Sequence, residues 1–527
     1  MILNLSPSST SDNHSGCRSC RSSLLACIAP LIDFALALDA PLRHNAPPYA
    51  NGQDLAALAW INITILAPND GNGTQMIRLQ AMGRALAHRN FRLFFFGQGI
   101  SLIGTWTQQI ALIWLAYRLS HSALFLGLVG FASQIPAALI TPFAGVLTDR
   151  WNRHRTVFIT QVAAMIQAFV LMVLTLTGAI CGWQIVLLSM FAGLVTGFDV
   201  PARQSFLVQM VEQRDDLANA IALNSSMFNA ARLIGPAIAC LLIRLLGEWP
   251  CFLINGLSYL AVLGSLAAMR VRPVAMLNRE QGMLTGMKEG FGYVWASPAI
   301  RSVLGLLALV NLMSMPTTIL LPLVATELLH GGADTLGFLT AALGIGALAA
   351  SLFLAARRSV LGLGRLIAWT TGAFGFGMIV LSFSHLLWLS VLTLLGTGFA
   401  MIAQMAASNT ILQTIVEEDK RGRLMGFYTL AFVGTAPIGS LLSGFLASRI
   451  GTTVTILLCG LFCVGGSLVF AYLLPSLRKA LRPIYFRVGI LKDTARQTEP
   501  GISPTPVMIP LGNCLPESSE LPQTKAA

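Results

Sequence analysis

The stretch ALFLGLVGFASQIPAALITPFAGVLTDRWNRHR occupies residues 123–155, and its reading decides the fold. From Ala123 to Leu147 no side chain is charged. At a rise of about 1.5 Å per residue, that run is long enough to cross the roughly 30 Å hydrocarbon core of a bilayer. The chain then changes character abruptly, through Asp149, Arg150, Arg153, His154 and Arg155. An apolar helix that stops at a short cationic loop reads as a membrane span ending on its cytoplasmic side.

Working outward, eleven further apolar segments of similar length follow the same pattern. The predicted helices cover 93–117, 122–146, 157–178, 183–202, 219–243 and 249–269, then 302–325, 334–355, 365–384, 386–410, 424–447 and 453–474. A polar stretch near 270–301 divides them into two sets of six. The fold class is therefore an all-α membrane protein with twelve transmembrane helices in two six-helix pseudo-repeat bundles. Composition agrees, with 55% hydrophobic and 11% charged residues and a mean hydropathy of +0.71.

Charge sets the expected orientation. Of 34 Lys and Arg, only Arg232 falls well inside a predicted span. If residue 92 is cytoplasmic, sixteen basic residues lie in inner loops and adjoining helix ends, among them Arg150, Arg153, Arg155, Arg203, Arg214, Arg357, Arg358, Lys420 and Arg421. Only Arg118, Arg244 and Arg449 lie on the other side. The positive-inside rule then places both termini in the cytoplasm of a multi-pass plasma (inner) membrane protein. The net charge of +12 speaks of membrane orientation and gives no reason to invoke nucleic acid.

The halves echo one another. Gly197 and Phe198 recur as Gly398 and Phe399, and Pro236 recurs as Pro437, each 201 residues on. Asp215 and Asp216 recur as Glu418 and Asp419. Two halves with even numbers of spans insert the same way round, as in two-bundle transporters. The expected domains are an N-terminal extension (1–88), a first bundle (89–270), a cytoplasmic central loop (271–301), a second bundle (302–474) and a cytoplasmic tail (475–527).

The extension is rich in Ser, Asn, Pro and Ala, and its apolar runs at 24–38 and 55–67 are too short to span. It reads either as disordered or as preceding a true start at Met76 or Met82. The tail begins with Arg478, Lys479, Arg482 and Arg487, then becomes Pro- and Ser-rich, and is expected to be disordered. Cys17 and Cys20 form a lone CxxC without a second pair or a nearby His at ligand spacing, so no metal or other cofactor is expected. Cys181, Cys240, Cys251, Cys459 and Cys463 read as small packing residues.

The loop joining helices 2 and 3 carries the strongest local signal. Gly145 permits close helix approach, Asp149 can face a neighbouring helix N-terminus, and Arg150 and Arg153 can pair across the bundle, which together would latch one conformation. A plain positive-inside stop signal accounts for the arginines but not for Gly145 or Asp149. On these residues the chain resembles the major facilitator superfamily, whose signature loop runs Gly, three residues, Asp, Arg, one residue, Gly, Arg and a further cation. Asn152 stands where that pattern has glycine, and Asn tolerates the left-handed backbone region.

A second run narrows the resemblance. Gly197 to Gln204, then Leu217 to Ala220, then Ala231 to Pro236 are similar to the branch containing the enterobactin exporter and drug–proton antiporters. The likeness covers about residues 88–475. It implies export of a siderophore or drug-like molecule, and leaves the cargo open.

The same region concentrates polar chemistry. Apart from Asp334 at the edge of helix 8, Asp199 is the only carboxylate in a predicted span, and such groups commonly mark pathways or relays. Arg203 lies one turn on, so Asp199 is either a proton carrier or half of a fixed ion pair. Pro201 and Pro236 each free a carbonyl, and with Gly235 they read as hinges in helices 4 and 5. The resemblance associates a Gly-Pro pair in helix 5 with antiporters, although Cys240 stands near where a further glycine completes that motif. Arg232 is expected to face the central cavity, as a proton-coupling or anion-binding residue, rather than to snorkel along lipid. Trp106, Gln108, Gln109, Asn224, Asn229, Asn311, Gln404 and Asn409 are either cavity-lining groups or interhelical hydrogen-bonding groups. Glu327 and Asp334 at the outer mouth read as solvated loop charges.

The expected function is secondary active transport by alternating access, as proton-coupled efflux of a small amphipathic molecule by a monomer. An importer or facilitator of the same fold is the alternative. There is no GxxxxGK[ST] loop for ATP. The membrane-embedded enzyme is the weakest reading, because the seven His do not cluster in spans and no HExxH, GxSxG or paired catalytic carboxylates occur.

Overall fold

In the computed structural model, residues 84–211, 216–270, 291–357, 360–416 and 420–487 are described. The extension with its CxxC pair, the loop residues Asp215, Glu418 and Asp419, residues 271–290 and the tail from 488 onward lie outside them. The first half is α1 (Arg89–Ser120), α2 (Ala123–Arg150), α3 (Arg153–Leu176), α4 (Gly182–Met210), α5 (Leu217–Leu246) and α6 (Trp249–Ala268). The second is α7 (Pro298–Ser314), α8 (Ala333–Ala356), α9 (Leu363–Ser382), α10 (Leu387–Ile415), α11 in two pieces (Arg421–Val433 and Thr435–Ile450) and α12 (Thr452–Arg487).

Eleven of these are long and apolar enough to cross a membrane. The twelfth is α1, whose 32 residues include Gln98, Thr105, Thr107, Gln108 and Gln109. Those side chains lower its hydropathy, and most of them are satisfied inside the bundle. Gln98, Thr107 and Gln108 are buried.

The two halves pack by the same scheme. Helix α2 packs on α4, α3 on α6 and α1 on α5 and α6; correspondingly α8 packs on α10, α9 on α12 and α7 on α11 and α12. The glycine repeat occupies matching contacts. A Cβ built on Gly197 would sit 3.2 Å from the Cα of Ala137 on α2, and one on Gly398 would run into the carbonyl of Leu343 on α8. Lipid provides no hydrophobic force to drive helices together, so close backbone approach at small residues stabilises such pairs.

Buried apolar side chains form three clusters whose arrangement describes the shape. One cluster unites both bundles, with Leu115, Leu126, Val129, Leu320, Val324, Leu336 and Leu339. It lies at the end carrying the 121–122 and 247–248 connections, called the outer end after the charge bias. Toward the other end the apolar core divides. Phe91, Phe94, Val157 and Phe206 belong to a first-bundle cluster, and Ile300, Ile367, Ile411 and Leu412 to a second-bundle cluster. The bundles thus share a core at the outer end and hold separate cores at the inner end.

Several boundaries differ from the sequence expectation. Helix α4 runs on to Met210 and so includes Arg203, while Pro201 and Pro236 lie inside α4 and α5 as expected. Neither proline ends its helix. The break falls instead at Gly434, before Pro437, where the Asn311 amide on α7 donates to the Phe432 carbonyl at 2.5 Å and the Thr435 hydroxyl at 2.9 Å. Helix α7 stops at Ser314 and continues toward residue 328 as two short helical pieces and a π turn, because Pro316 and Pro322 remove backbone donors. Helix α12 extends to Arg487, so the first part of the expected tail is helical. Residues 291–296 of the expected central loop are helical too.

Candidate functional site

Gly145, Asp149 and Arg150 occupy the last turns of α2, and their side chains lie outside the described set. Arg153 opens α3. Asn152 has φ −68° and ψ 108°, which is extended, so the left-handed region is not used at this turn. Asn152 is instead the N-cap of α3, its side chain accepting from the Arg155 N–H at 3.2 Å. Trp151 stacks on Phe198 at 6.1 Å between ring centroids, pinning the connection to α4.

Asp199 is buried and fully engaged. One oxygen accepts from the Gln161 amide at 2.8 Å and lies 2.9 Å from the Thr160 hydroxyl, and the other accepts from Arg203 at 3.0 Å. All these partners come from α3 and α4 of the first bundle. In this conformation Asp199 points into the bundle interior and is held as an ion pair, with both neutral contacts acting as donors. Thr160 and Gln161 carried no sequence signal, because single polar residues in apolar helices are common.

Arg232 is differently placed. Its guanidinium lies 5.6 Å from the centroid of the Trp106 ring, and it makes no ion pair among the described residues. Phe228, one turn before Arg232, meets Trp106 edge to face at 5.7 Å. Gly235 makes this possible, since a Cβ there would come within 2.5 Å of the Trp106 Cβ. Gly235 and Pro236 therefore act together in packing: the glycine seats α1 against α5, and the proline frees the Arg232 carbonyl. That carbonyl faces Gly344 of α8, 3.6 Å from where a Cβ would stand. Arg232 thus sits where the two bundles adjoin.

The expected cavity-lining amides divide into two groups. Gln109, Asn224 and Asn229 make no side-chain hydrogen bond to another residue of the described set. Asn224, Phe228 and Arg232 follow at helical spacing on α5, and Trp106 and Gln109 on α1, so they form one aromatic and polar face. Asn311, Gln404 and Asn409 are already occupied. Asn311 holds the break in α11, Gln404 donates to Ser408 at 3.3 Å, and Asn409 accepts from Gln413 at 3.1 Å. Gln108 is also internal, donating to Gln167 at 2.9 Å and accepting from Asn255 at 2.8 Å, so α1, α3 and α6 share one amide chain.

The outer end is closed by contacts between bundles. The hydroxyls of Tyr117 and Thr326 are 2.7 Å apart, Gln134 donates to Ser440 at 3.0 Å, and Arg244 pairs with Asp334 at 2.9 Å. Asp334 is therefore a partner across the seam and not only a solvated loop charge. Glu327 accepts from Thr452 at 3.1 Å. Among the described residues no group of three or more His, Cys, Asp or Glu could hold a metal ion.

With this geometry in hand, comparisons with known proteins agree on its type. Residues 83–485 match the family model described as transmembrane secretion effector. The chain is 23% identical to the staphyloferrin A transporter of Staphylococcus aureus, over 74% of this chain and 98% of the relative. It is 26% identical to the multidrug efflux pump Tap of Mycolicibacterium fortuitum (73% and 93% covered) and 23% identical to macrolide efflux protein A of Streptococcus pyogenes (71% and 94% covered). Among solved structures it is similar in fold to the nucleoside transporter NupG, with a TM-score of 0.59, 13% identity, and 73% and 98% of the two chains covered.

Proposed function

The chain belongs to the transmembrane secretion effector family of major facilitator transporters, and from that premise we propose that it exports a small amphipathic molecule, siderophore or drug-like, by alternating access. The observation that carries the reading is the divided apolar core. The two bundles are fused at the outer end and have separate cores at the inner end, which is the shape of a transporter whose central space opens to the cytoplasm.

The cargo site is the face formed by Trp106, Gln109, Asn224, Phe228 and Arg232. A cation resting on an aromatic ring without a carboxylate can accept an anionic group, while the aromatic rings and uncommitted amides hold an amphipathic body without fixing one pose. Rocking of the bundles then exposes this face alternately to the two sides.

Export against a gradient needs a second flow, and proton entry is the coupling we assign, with Asp199 and Arg203 as the pair that would exchange partners when α4 moves. Gly145, Asp149, Arg150 and Arg153 form the cytoplasmic latch in this reading. The protein works as a monomer in the plasma (inner) membrane, with both termini and the 271–301 loop cytoplasmic. Residues 89–270 and 302–474 are its two moving bodies.

Everted membrane vesicles provide the test. Proton-driven accumulation of a siderophore or lipophilic drug, abolished by an uncoupler, is expected. Accumulation that persists with the uncoupler overturns proton coupling, and the absence of transport for every probe overturns export. Asp199→Asn separates the roles of that residue: if uncoupler-sensitive accumulation survives the change, Asp199 is only half of a structural ion pair.

A further inference from the structure

Away from the central face, the inner end of the second bundle contains a cavity of about 380 Å³. Its walls come from α7, α9, α10 and α12 and from the loop between α8 and α9. One side is apolar, formed by Val303, Ile411, Phe470, Leu474 and Leu477. The other carries Arg365, Arg478 and Arg482, with Tyr485 beside them and no acidic residue among the described lining residues. Arg357 adds a further cation close by, donating to the Leu361 carbonyl at 2.7 Å.

Depth along the bundle gives this arrangement its meaning. The apolar span of α9 begins at Leu363, and that of α12 ends at Lys479. Arg365 and Arg478 therefore lie where hydrocarbon gives way to headgroups, with Arg482 one turn beyond. Phe470, Leu474 and Leu477 continue into the hydrocarbon on the same α12 face. Burial raises the pKa of the Tyr485 hydroxyl above the usual tyrosine value, which keeps it a neutral donor facing the cavity. The extension of α12 past residue 479 contributes Arg482 and Tyr485 to the lining.

The geometry points to a binding site for an anionic phospholipid, with the phosphate held by Arg365 and Arg478 and an acyl chain laid along the apolar wall. Guanidinium groups match phosphate oxygens in planar pairs, and basic pockets between helices at the cytoplasmic face favour acidic headgroups. A free anion would leave the apolar wall uncovered. A zwitterionic lipid would bring its own cation into a cluster of arginines. This site is separate from the Trp106 and Arg232 face, and transport need not be measured to test it.

The test is native mass spectrometry of the full chain in detergent, with phosphatidylglycerol, phosphatidylcholine and inorganic phosphate as probes. Phosphatidylglycerol should remain bound where phosphatidylcholine is lost. The Arg365→Gln, Arg478→Gln double variant should weaken retention on the order of tenfold, and Lys at both positions should restore most of it. Equal retention of the two lipids overturns the proposal, as does undiminished phosphatidylglycerol on a double variant that elutes like the parent. Displacement of the lipid by inorganic phosphate at equal concentration would make this a simple anion site. If the glutamine variant fails to fold, a salt series on the parent decides: retention should fall as salt rises, and constant retention overturns the role of charge.

Discussion

Two seams join the bundles at the outer end, and they are built differently. Between α2 and α11 the backbones themselves touch: a Cβ on Gly127 would stand 2.7 Å from the Cα of Gly444, and one on Gly444 would stand 2.6 Å from the Cα of Gly127. Between α5 and α8 a side chain intervenes, with Cys240 packed on Gly337 and the Arg244–Asp334 pair above it. At Gly127 and Gly444 the first seam leaves no room for a side chain. The second tolerates side chains, carries charge, and has Arg232 below it. Tight packing and the proposed cargo face therefore lie on opposite sides of the same interface.

The largest effect should come from the glycine seam. Gly127→Leu forces α11 away, because no rotamer escapes a backbone contact that close. We expect more than a tenfold loss of efflux, together with faster labelling of Cys240 by an impermeant maleimide from outside in a Cys181→Ser background. Unchanged efflux would mean that the glycine contact forms no part of the transport cycle.

Arg232→Ala beneath the second seam should cost about tenfold in transport of anionic cargo and clearly less for cationic cargo, a difference of roughly 1.4 kcal/mol. Arg232→Lys should fall between, since an ammonium keeps the charge but loses the planar contact with Trp106. Equal losses for both cargo types would reduce Arg232 to a packing residue.

Gln108→Leu lies in neither seam and should act on stability alone. It removes two amide contacts, each worth about 0.6 kcal/mol in membranes, so a small drop in melting temperature in detergent with near-normal transport is expected. A transport defect without a stability loss would place the amide chain in the moving parts.

Arg244→Gln should do least. Arg244 is 67% exposed and Asp334 42%, and exposed pairs are typically worth about 0–1 kcal/mol. A change in efflux under about threefold, fading at high salt, is expected. An effect as large as that of Gly127→Leu would erase the contrast between the seams.

Much of the fold was legible because hydropathy adds up locally. The spans, the two-by-six division and the glycine repeat at 197 and 398 all follow from short stretches read one at a time. The site was legible in part. Asp199 and Arg203 are one turn apart on one helix, and Arg232 stood out as the lone cation in a span. Phe228 had the same helical spacing to Arg232, but an aromatic residue in an apolar helix gives no contrast. Asn152 could tolerate the left-handed region, but it serves as an extended helix cap, a role set by the turn it meets in the fold. Pro201, Pro236 and Pro437 carry one signal, yet of the three helices only α11 breaks, where Gly434 weakens the helix and the Asn311 amide holds the Phe432 carbonyl beside the break.

The amino-acid order alone determined that the chain crosses a bilayer repeatedly, in which expected sense and as which repeated unit, since lipid acts on each segment separately. Tertiary structure decided which polar groups are used up and which remain available. Asp199 turned toward Thr160 and Gln161, Asn311 toward α11, and Arg232 toward Trp106. That choice depends on how each helix is rotated against its neighbours, and helical spacing within one segment cannot set the facing residue on another.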